Sequence, residues 1–285
     1  MDIGLYIFPT DYTIGPVEMA KLAEAKGFAS LWFPEHSHIP ASRVTPWGGH
    51  EEAPPLPQEY CQLYDQFVAL AAASSVTSTL RLGTGITLVA QRDPIWLAKQ
   101  VASLDALSNG RLDFGIGYGW NKEEMAHHGT AYLERRAILR ENVLAMKELW
   151  TKNEAEFHGE HVNFSPSWSW PKPSQKPHPP ISIGGAGGPK TYADIIEFCD
   201  IWMPISPLAE VFAEKTTILR QMATDAGRDP ASIGLSVFKA RPDESILTAY
   251  AELGVQQALF TINPSPPDQV AEQVGTLAEF VGQYS

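Results

Sequence analysis

The stretch Leu112-Asp-Phe-Gly-Ile-Gly-Tyr-Gly-Trp-Asn121 decides how the chain is read. Its first residues, 112–117, have the apolar character of a buried strand, and the glycines at 115, 117 and 119 break that strand just before a helical pattern begins. Glycine tolerates positive φ and puts no Cβ in the way of a ligand. Three of them at alternate positions fit a flat ligand lying against the main chain. A tight strand-to-helix turn fits the same spacing.

The strand-then-helix pattern recurs on both sides of this stretch. Upstream, residues 2–8 read as a strand and 15–26 as an amphipathic helix with Val17, Met19, Ala20, Leu22 and Ala23 at helical spacing. A second strand at 29–34, a helix at 62–75, a third strand at 80–89 and a helix at 94–107, closed by Asn109-Gly110, follow. Downstream, one long helix over 122–150 leads into a Pro-rich, irregular insertion, 153–180. Strands at 181–184, 200–203, 233–238 and 256–262 then alternate with helices at 189–197, 208–226, 243–253 and 267–281.

Eight strands alternating with eight helices demand parallel strands, and eight such units close into a (β/α)8 TIM barrel, here with inserted loops after strands 2 and 4. An open doubly wound sheet is the competing architecture. Its dinucleotide-binding glycine pattern is missing from the first strand-to-helix turn. The 285 residues suit one barrel domain over 1–285, since barrels of about 250 residues are routine.

Composition narrows the partners. The formal net charge of -12, with no basic run, opposes binding to nucleic acid or to an anionic membrane surface. No stretch approaches the roughly 20 apolar residues of a membrane span, and the chain opens into a strand without a signal peptide, so a cytoplasmic location is expected. Cys61 and Cys199 are far apart in sequence and suit a reducing compartment, both as buried structural residues.

A barrel carries its active site at the C-terminal ends of its strands. Those ends hold Pro9 and Thr10; Glu35-His36; Thr84-Gly85-Ile86-Thr87; Gly117-Tyr118-Gly119-Trp120-Asn121; and Gly184-Gly185-Ala186-Gly187-Gly188. His36 is the catalytic candidate, because an imidazole can pass a proton near neutral pH. Glu35 and His38 leave a charged loop entrance open as its alternative, and no ligand set at recognisable spacing supports a metal.

The loop Gly184 to Gly188 precedes Pro189, which favours a helix start, so free N–H groups there suit a phosphate. A flexible loop is the other reading, since no Walker-type ending follows. Trp120 at a strand end, and Trp47 in the long loop 35–60, are expected to shape an apolar substrate pocket, with Trp168 and Trp170 bordering it. Trp32, Trp96, Trp150 and Trp202, in expected strands or helices, are expected in the core or in helix packing. Glu123 and Glu124 read as first-turn charges on a helix, and His127, His128, His158 and His161 as solvated.

Taken in order, these segments resemble the bacterial luciferase-like superfamily of flavin and deazaflavin oxidoreductases, and within it the coenzyme F420-dependent class. The resemblance runs nearly end to end. It is carried by Leu31-Trp-Phe-Pro-Glu-His36, Leu82-Gly-Thr-Gly-Ile-Thr87, Arg92-Asp-Pro-Ile-Trp-Leu-Ala-Lys-Gln-Val-Ala-Ser-Leu-Asp105, Ser108-Asn-Gly-Arg-Leu112 with Gly115-Ile-Gly-Tyr-Gly-Trp-Asn121, and Pro180-Ile-Ser-Ile-Gly-Gly185.

The resemblance implies a flavin or deazaflavin ring at the barrel mouth, substrate above one ring face, and a small-molecule redox reaction. It places His36 beside the ring, Thr84, Gly85, Ile86, Thr87, Gly117, Tyr118, Gly119 and Asn121 around it, and Gly184, Gly185, Ala186, Gly187 and Gly188 on the phosphate. It also implies a cis peptide near Gly85-Ile86 and a homodimer. Trp120 stands where sugar-phosphate dehydrogenases of the superfamily place an acid, which argues against that substrate. Hydride transfer with F420 is the leading expectation, FMN-dependent monooxygenation the alternative, and a non-catalytic flavin carrier or sensor the third. Arg43, Arg92, Lys190, Lys239 and Arg241 are candidate cations for the acidic deazaflavin tail.

Overall fold

Strands buried on both faces read as unbroken apolar runs, and the barrel strands of this chain are buried along nearly their whole length. The structure, a computed structural model, describes residues 1–284. Its strands are β1 (Asp2–Tyr6), β2 (Ser30–Phe33), β3 (Arg81–Thr84), β4 (Leu112–Ile116), β5 (Ala155–His158), β6 (Asn163–Ser167), β7 (Ile181–Gly184), β8 (Ile201–Met203), β9 (Gly234–Val237) and β10 (Gln257–Thr261).

All but β5 and β6 form a closed parallel barrel in the order β1-β10-β9-β8-β7-β4-β3-β2. Closure sets Leu5 opposite Phe260 and Leu31 opposite Leu82. The helices are α1 (Pro16–Ala25), α2 (Gln66–Ser74), α3 (Pro94–Leu107), α4 (Lys122–His127), α5 (Arg135–Thr151), α6 (Pro189–Phe198), α7 (Ala209–Asp225), α8 (Glu244–Glu252) and α9 (Pro267–Leu277). Leu5, Leu31, Phe33, Leu82 and Phe114 share one buried cluster with Ala20, Leu70, Val101 and Val143 of the helices.

Inside the barrel the side chains alternate with that layer. Trp32, 1% exposed, donates from Nε1 to Ser30 Oγ at 2.9 Å. A Cβ on Gly83 would lie 2.0 Å from its ring; one on Gly115 would lie 3.0 Å from the ring and 2.1 Å from the Thr84 carbonyl oxygen. Gly115 is therefore required by packing and not by a ligand.

Several expectations need correction. The long helix over 122–150 is two, α4 and α5, because Gly129 takes φ 76 and turns the chain between them. The insertion 153–180 is irregular only in part: β5 and β6 pair as an antiparallel sheet in which Phe157 meets Phe164. Pro166 lies within β6, and the other prolines, at 171–180, follow that sheet. The third strand stops at Thr84, well short of 89. The helix read over 62–75 starts at Gln66, where the Asp65 carboxylate accepts from the Val68 N–H at 2.9 Å. Trp96 is 71% exposed on α3 instead of in the core, and Cys61 is exposed while Cys199 is buried.

Candidate functional site

At the C-terminal end of the strands the barrel opens into a cavity of about 730 Å³. One wall is a row of rings. Tyr6, at the end of β1, meets Phe8 at 5.6 Å between centroids; Phe8 meets Tyr60 at 4.7 Å, Tyr60 meets His36 at 5.2 Å, and His36 meets Trp120 at 5.7 Å. Trp47 packs edge-on to Tyr60 at 5.8 Å, and Arg43 lies over Trp120 at 5.5 Å. Met203, which ends β8, and Phe238 and Lys239, which follow β9, line the same space.

His36 sits just beyond β2. Its Nδ1 lies 2.7 Å from Glu124 Oε2, and Glu124 is fully buried on α4. Glu124 Oε1 also accepts the Ser37 N–H at 3.1 Å. A carboxylate only accepts, so Nδ1 carries the proton of this pair and Nε2 is the basic nitrogen. That Nε2 has no hydrogen-bond partner among the described residues.

The reading of Glu123 and Glu124 as plain first-turn charges is thus corrected, since both reach across to the long loop after β2. Glu123 Oε1 accepts the N–H groups of Val44 and Thr45 at 3.0 and 3.1 Å. Burial pushes the Glu123 carboxyl up, but these donors and the Thr45 hydroxyl outweigh it and hold the group at about 2.

The other expected residues divide. Gly85, Ile86, Gly117, Tyr118, Gly119, Gly184 and Gly185 line the cavity with Trp47 and Trp120. The Gly85-Ile86 peptide is cis, as the resemblance implied. Thr84, Thr87 and Asn121 stand behind the wall. Thr84 Oγ1 donates to the Gly115 carbonyl at 2.7 Å, Thr87 Oγ1 to Gln66 Oε1 at 2.8 Å, and Asn121 Oδ1 caps α4 at the Glu124 N–H.

Ala186 faces a neighbouring cavity of about 240 Å³. Gly187 is packed so that a Cβ would come 2.8 Å from Trp202 and from Tyr192 Oη, while Gly188, at φ 150, leads into α6. Only Gly184 and Gly185 of that loop reach the main cavity.

Trp168 and Trp170 are 79% and 57% exposed and do not line it. Glu35 is buried; it pairs with Arg92 and accepts the Leu88 N–H at 2.6 Å, which removes Arg92 as a free cation for a cofactor tail. His127 and His128 are exposed but not merely solvated: His127 Nδ1 is 2.8 Å from His38 Nε2, and Ser37 Oγ is 2.6 Å from His128 Nε2.

Sequence reading missed the ring wall of Tyr6, Phe8 and Tyr60, and the carboxylate behind His36. It also missed Arg136 on α5. Arg136 stacks on Tyr118 at 4.1 Å and shares Asp194 with the Tyr118 hydroxyl, which donates at 2.6 Å. Burial, with Asp194 beside it, pushes the Tyr118 phenol well above its ordinary range. Strand parity alone offered a signal for Tyr6, which alternates with the outward Leu5.

Among the described residues no helix is long and apolar enough to cross a membrane, and no group of three or more His, Cys, Asp or Glu could hold a metal ion. Comparison with known proteins adds a relationship to this geometry. Residues 15–242 match the family model described as "Luciferase-like monooxygenase". "Uncharacterized protein Rv0953c" of Mycobacterium tuberculosis is 41% identical over 280 residues, 98% of each chain. The oxygenase component of the flavin-dependent trigonelline monooxygenase of Acinetobacter baylyi is 32% identical over 170 residues, 59% of this chain and 41% of its own. An F420-dependent secondary alcohol dehydrogenase, solved in complex with an F420-acetone adduct, superposes with TM-score 0.77 at 18% identity, covering 100% of this chain and 99% of that one.

Proposed function

The chain belongs to the luciferase-like monooxygenase family, and on that premise we propose that it is an F420-dependent oxidoreductase moving a hydride to or from a small organic substrate. The observation that carries this is the His36–Glu124 pair at the rim of an aromatic cavity with a bare glycine backbone on its wall. Oxidising an alcohol carbon, or reducing a carbonyl, needs a proton moved at the oxygen as hydride moves at the carbon.

His36 Nε2 would take or return that proton. Glu124 holds the ring through Nδ1 and fixes its tautomer. The aromatic wall excludes water and positions an apolar substrate.

The residues present fit a flat ring. Gly85, Gly117 and Gly119 line the cavity, and packing alone excludes a side chain at two of them, since a Cβ on Gly117 would come 2.7 Å from Ile86 Cδ1 and one on Gly85 3.1 Å from Phe238. Gly85, Ile86, Gly117, Tyr118 and Gly119 would hold the ring. Gly184 and Gly185, with the N-terminus of α6 behind Gly188, would take the phosphate. Bound there, a deazaflavin supplies two-electron hydride transfer.

FMN-dependent monooxygenation is the second reading, favoured by the likeness to the flavin-dependent trigonelline enzyme. Val68, Ile95 and Trp96, exposed on α2 and α3, support a homodimer packed through these helices. The test is a parallel titration of purified apoprotein with F420 and FMN, oxidised and reduced, followed by tryptophan quenching. Preferential F420 binding is expected. Preference for FMN would move the activity to monooxygenation, and binding of neither would refute the cofactor site.

A further inference from the structure

Lys239 is the least accounted-for charge in the cavity. It follows β9 in the left-handed backbone region, φ 55, which is uncommon for a residue with a side chain and recurs at functional sites. Its ammonium lies 5.4 Å from the Tyr6 ring and 5.9 Å from the Phe238 ring. No hydrogen bond or ion pair to it exists among the described residues.

Burial pushes the amine below its ordinary range, with Glu59 pulling the other way. A half-buried ammonium over two ring faces is a charge without a counter-ion, and such groups are costly unless something pairs with them. Tyr6 links Lys239 to the row of rings that ends at His36 and Trp120. The cation and the proton-transferring imidazole therefore occupy opposite ends of one apolar wall.

We propose that Lys239 anchors an anionic group of the substrate, which is a small apolar or aromatic molecule carrying a single carboxylate, with its reacting carbon at the His36 end. An apolar surround of Tyr6, Met203 and Phe238 suits one charge on an apolar body better than a hydrated, multiply charged cofactor tail. The proposal rests on the redox reading only in assigning the reaction to the His36 end.

The test is calorimetric titration of the full chain with benzoate and phenylacetate against benzamide and phenylacetamide, with and without cofactor. Wild type, Lys239→Met, Lys239→Gln and Lys239→Arg are compared. The acids are expected to bind at least about tenfold more tightly than the amides, equivalent to about 1.4 kcal/mol. Lys239→Met and Lys239→Gln should abolish that ratio, Lys239→Arg should keep part of it, and none should change F420 or FMN affinity.

Equal binding of acid and amide, binding of neither, or a ratio that survives in Lys239→Met overturns the proposal. So does a tenfold loss of cofactor affinity in that variant, which would place the lysine on the cofactor. Because the acids are titrated without cofactor as well, failure of the redox reading leaves the acid-to-amide ratio measurable.

Discussion

The two ends of the barrel treat their polar groups differently. At the N-terminal end, Arg81 of β3 donates from Nε to Asp113 of β4 at 2.9 Å, and Gln175 spans Asp105 and the Leu112 carbonyl. Arg111 donates to the carbonyls of Ser74, Thr77 and Leu80, and Glu24 accepts the N–H groups of Ser78, Thr79 and Leu80.

At the C-terminal end, His36 Nε2, Lys239 Nζ and the buried Asn121 Nδ2 have no partner among the described residues. Unmade hydrogen bonds cost stability, and the unpaired groups at the C-terminal end line or back the proposed site. Substitutions at the closed end should change stability alone, and those at the open end chemistry alone.

The largest effect is expected at the open end. His36→Ala should lower turnover by about 10²- to 10⁴-fold while leaving cofactor affinity within about twofold and the denaturant midpoint nearly unmoved. Glu124→Gln should cost about tenfold, as is usual for the partner that orients a working histidine. Steady-state kinetics beside cofactor titration separates these outcomes, and unchanged turnover in His36→Ala would refute its catalytic role.

Next in size is Arg81→Met. It leaves the buried Asp113 carboxylate unpaired, and burial already pushes that group above its ordinary value against the pull of Arg81. Loss of about 3 kcal/mol in urea unfolding is expected, with F420 and FMN binding unaltered. A change in binding would show that the two ends are not independent.

The smallest effect sharpens the comparison through pH. Burial raises the Glu24 carboxyl, but three backbone N–H groups and the Thr79 hydroxyl outweigh it and hold the group at about 2, below its ordinary 4.5. A carboxyl with a depressed folded-state pKa stabilises fully above its unfolded value and loses that contribution as pH falls through the folded one. Glu24→Gln should therefore lower Tm by roughly a degree or two at neutral pH, given that exposed charges are screened. The gap should close as pH falls from 4.5 toward 2. Thermal melts across that range provide the check.

Much of the site was legible because a barrel gathers strand ends. His36, Gly85, Ile86, Gly117, Tyr118, Gly119, Trp120, Gly184 and Gly185 come from four separate segments and line one cavity. Thr84, Thr87 and Asn121 were near misses of a predictable kind. At a strand end one residue faces the cavity and its neighbour faces away, and a one-residue uncertainty in where the strand stops exchanges them. Trp96 failed for a related reason: helical spacing locates a face only when the neighbouring helices are known.

Local periodicity, set by backbone geometry, was enough for the sequence by itself to determine the alternating elements and the closed barrel, and the ordered motifs at the strand ends resembled the family to which the chain belongs. The break at Gly129, the β5–β6 pair, the carboxylate 88 residues from His36 and the half-buried cation on the Tyr6 ring were decided only by the tertiary structure. Contacts between distant segments depend on how the barrel closes and twists, and no local pattern encodes which side chain will then stand behind an imidazole or face an empty partner position.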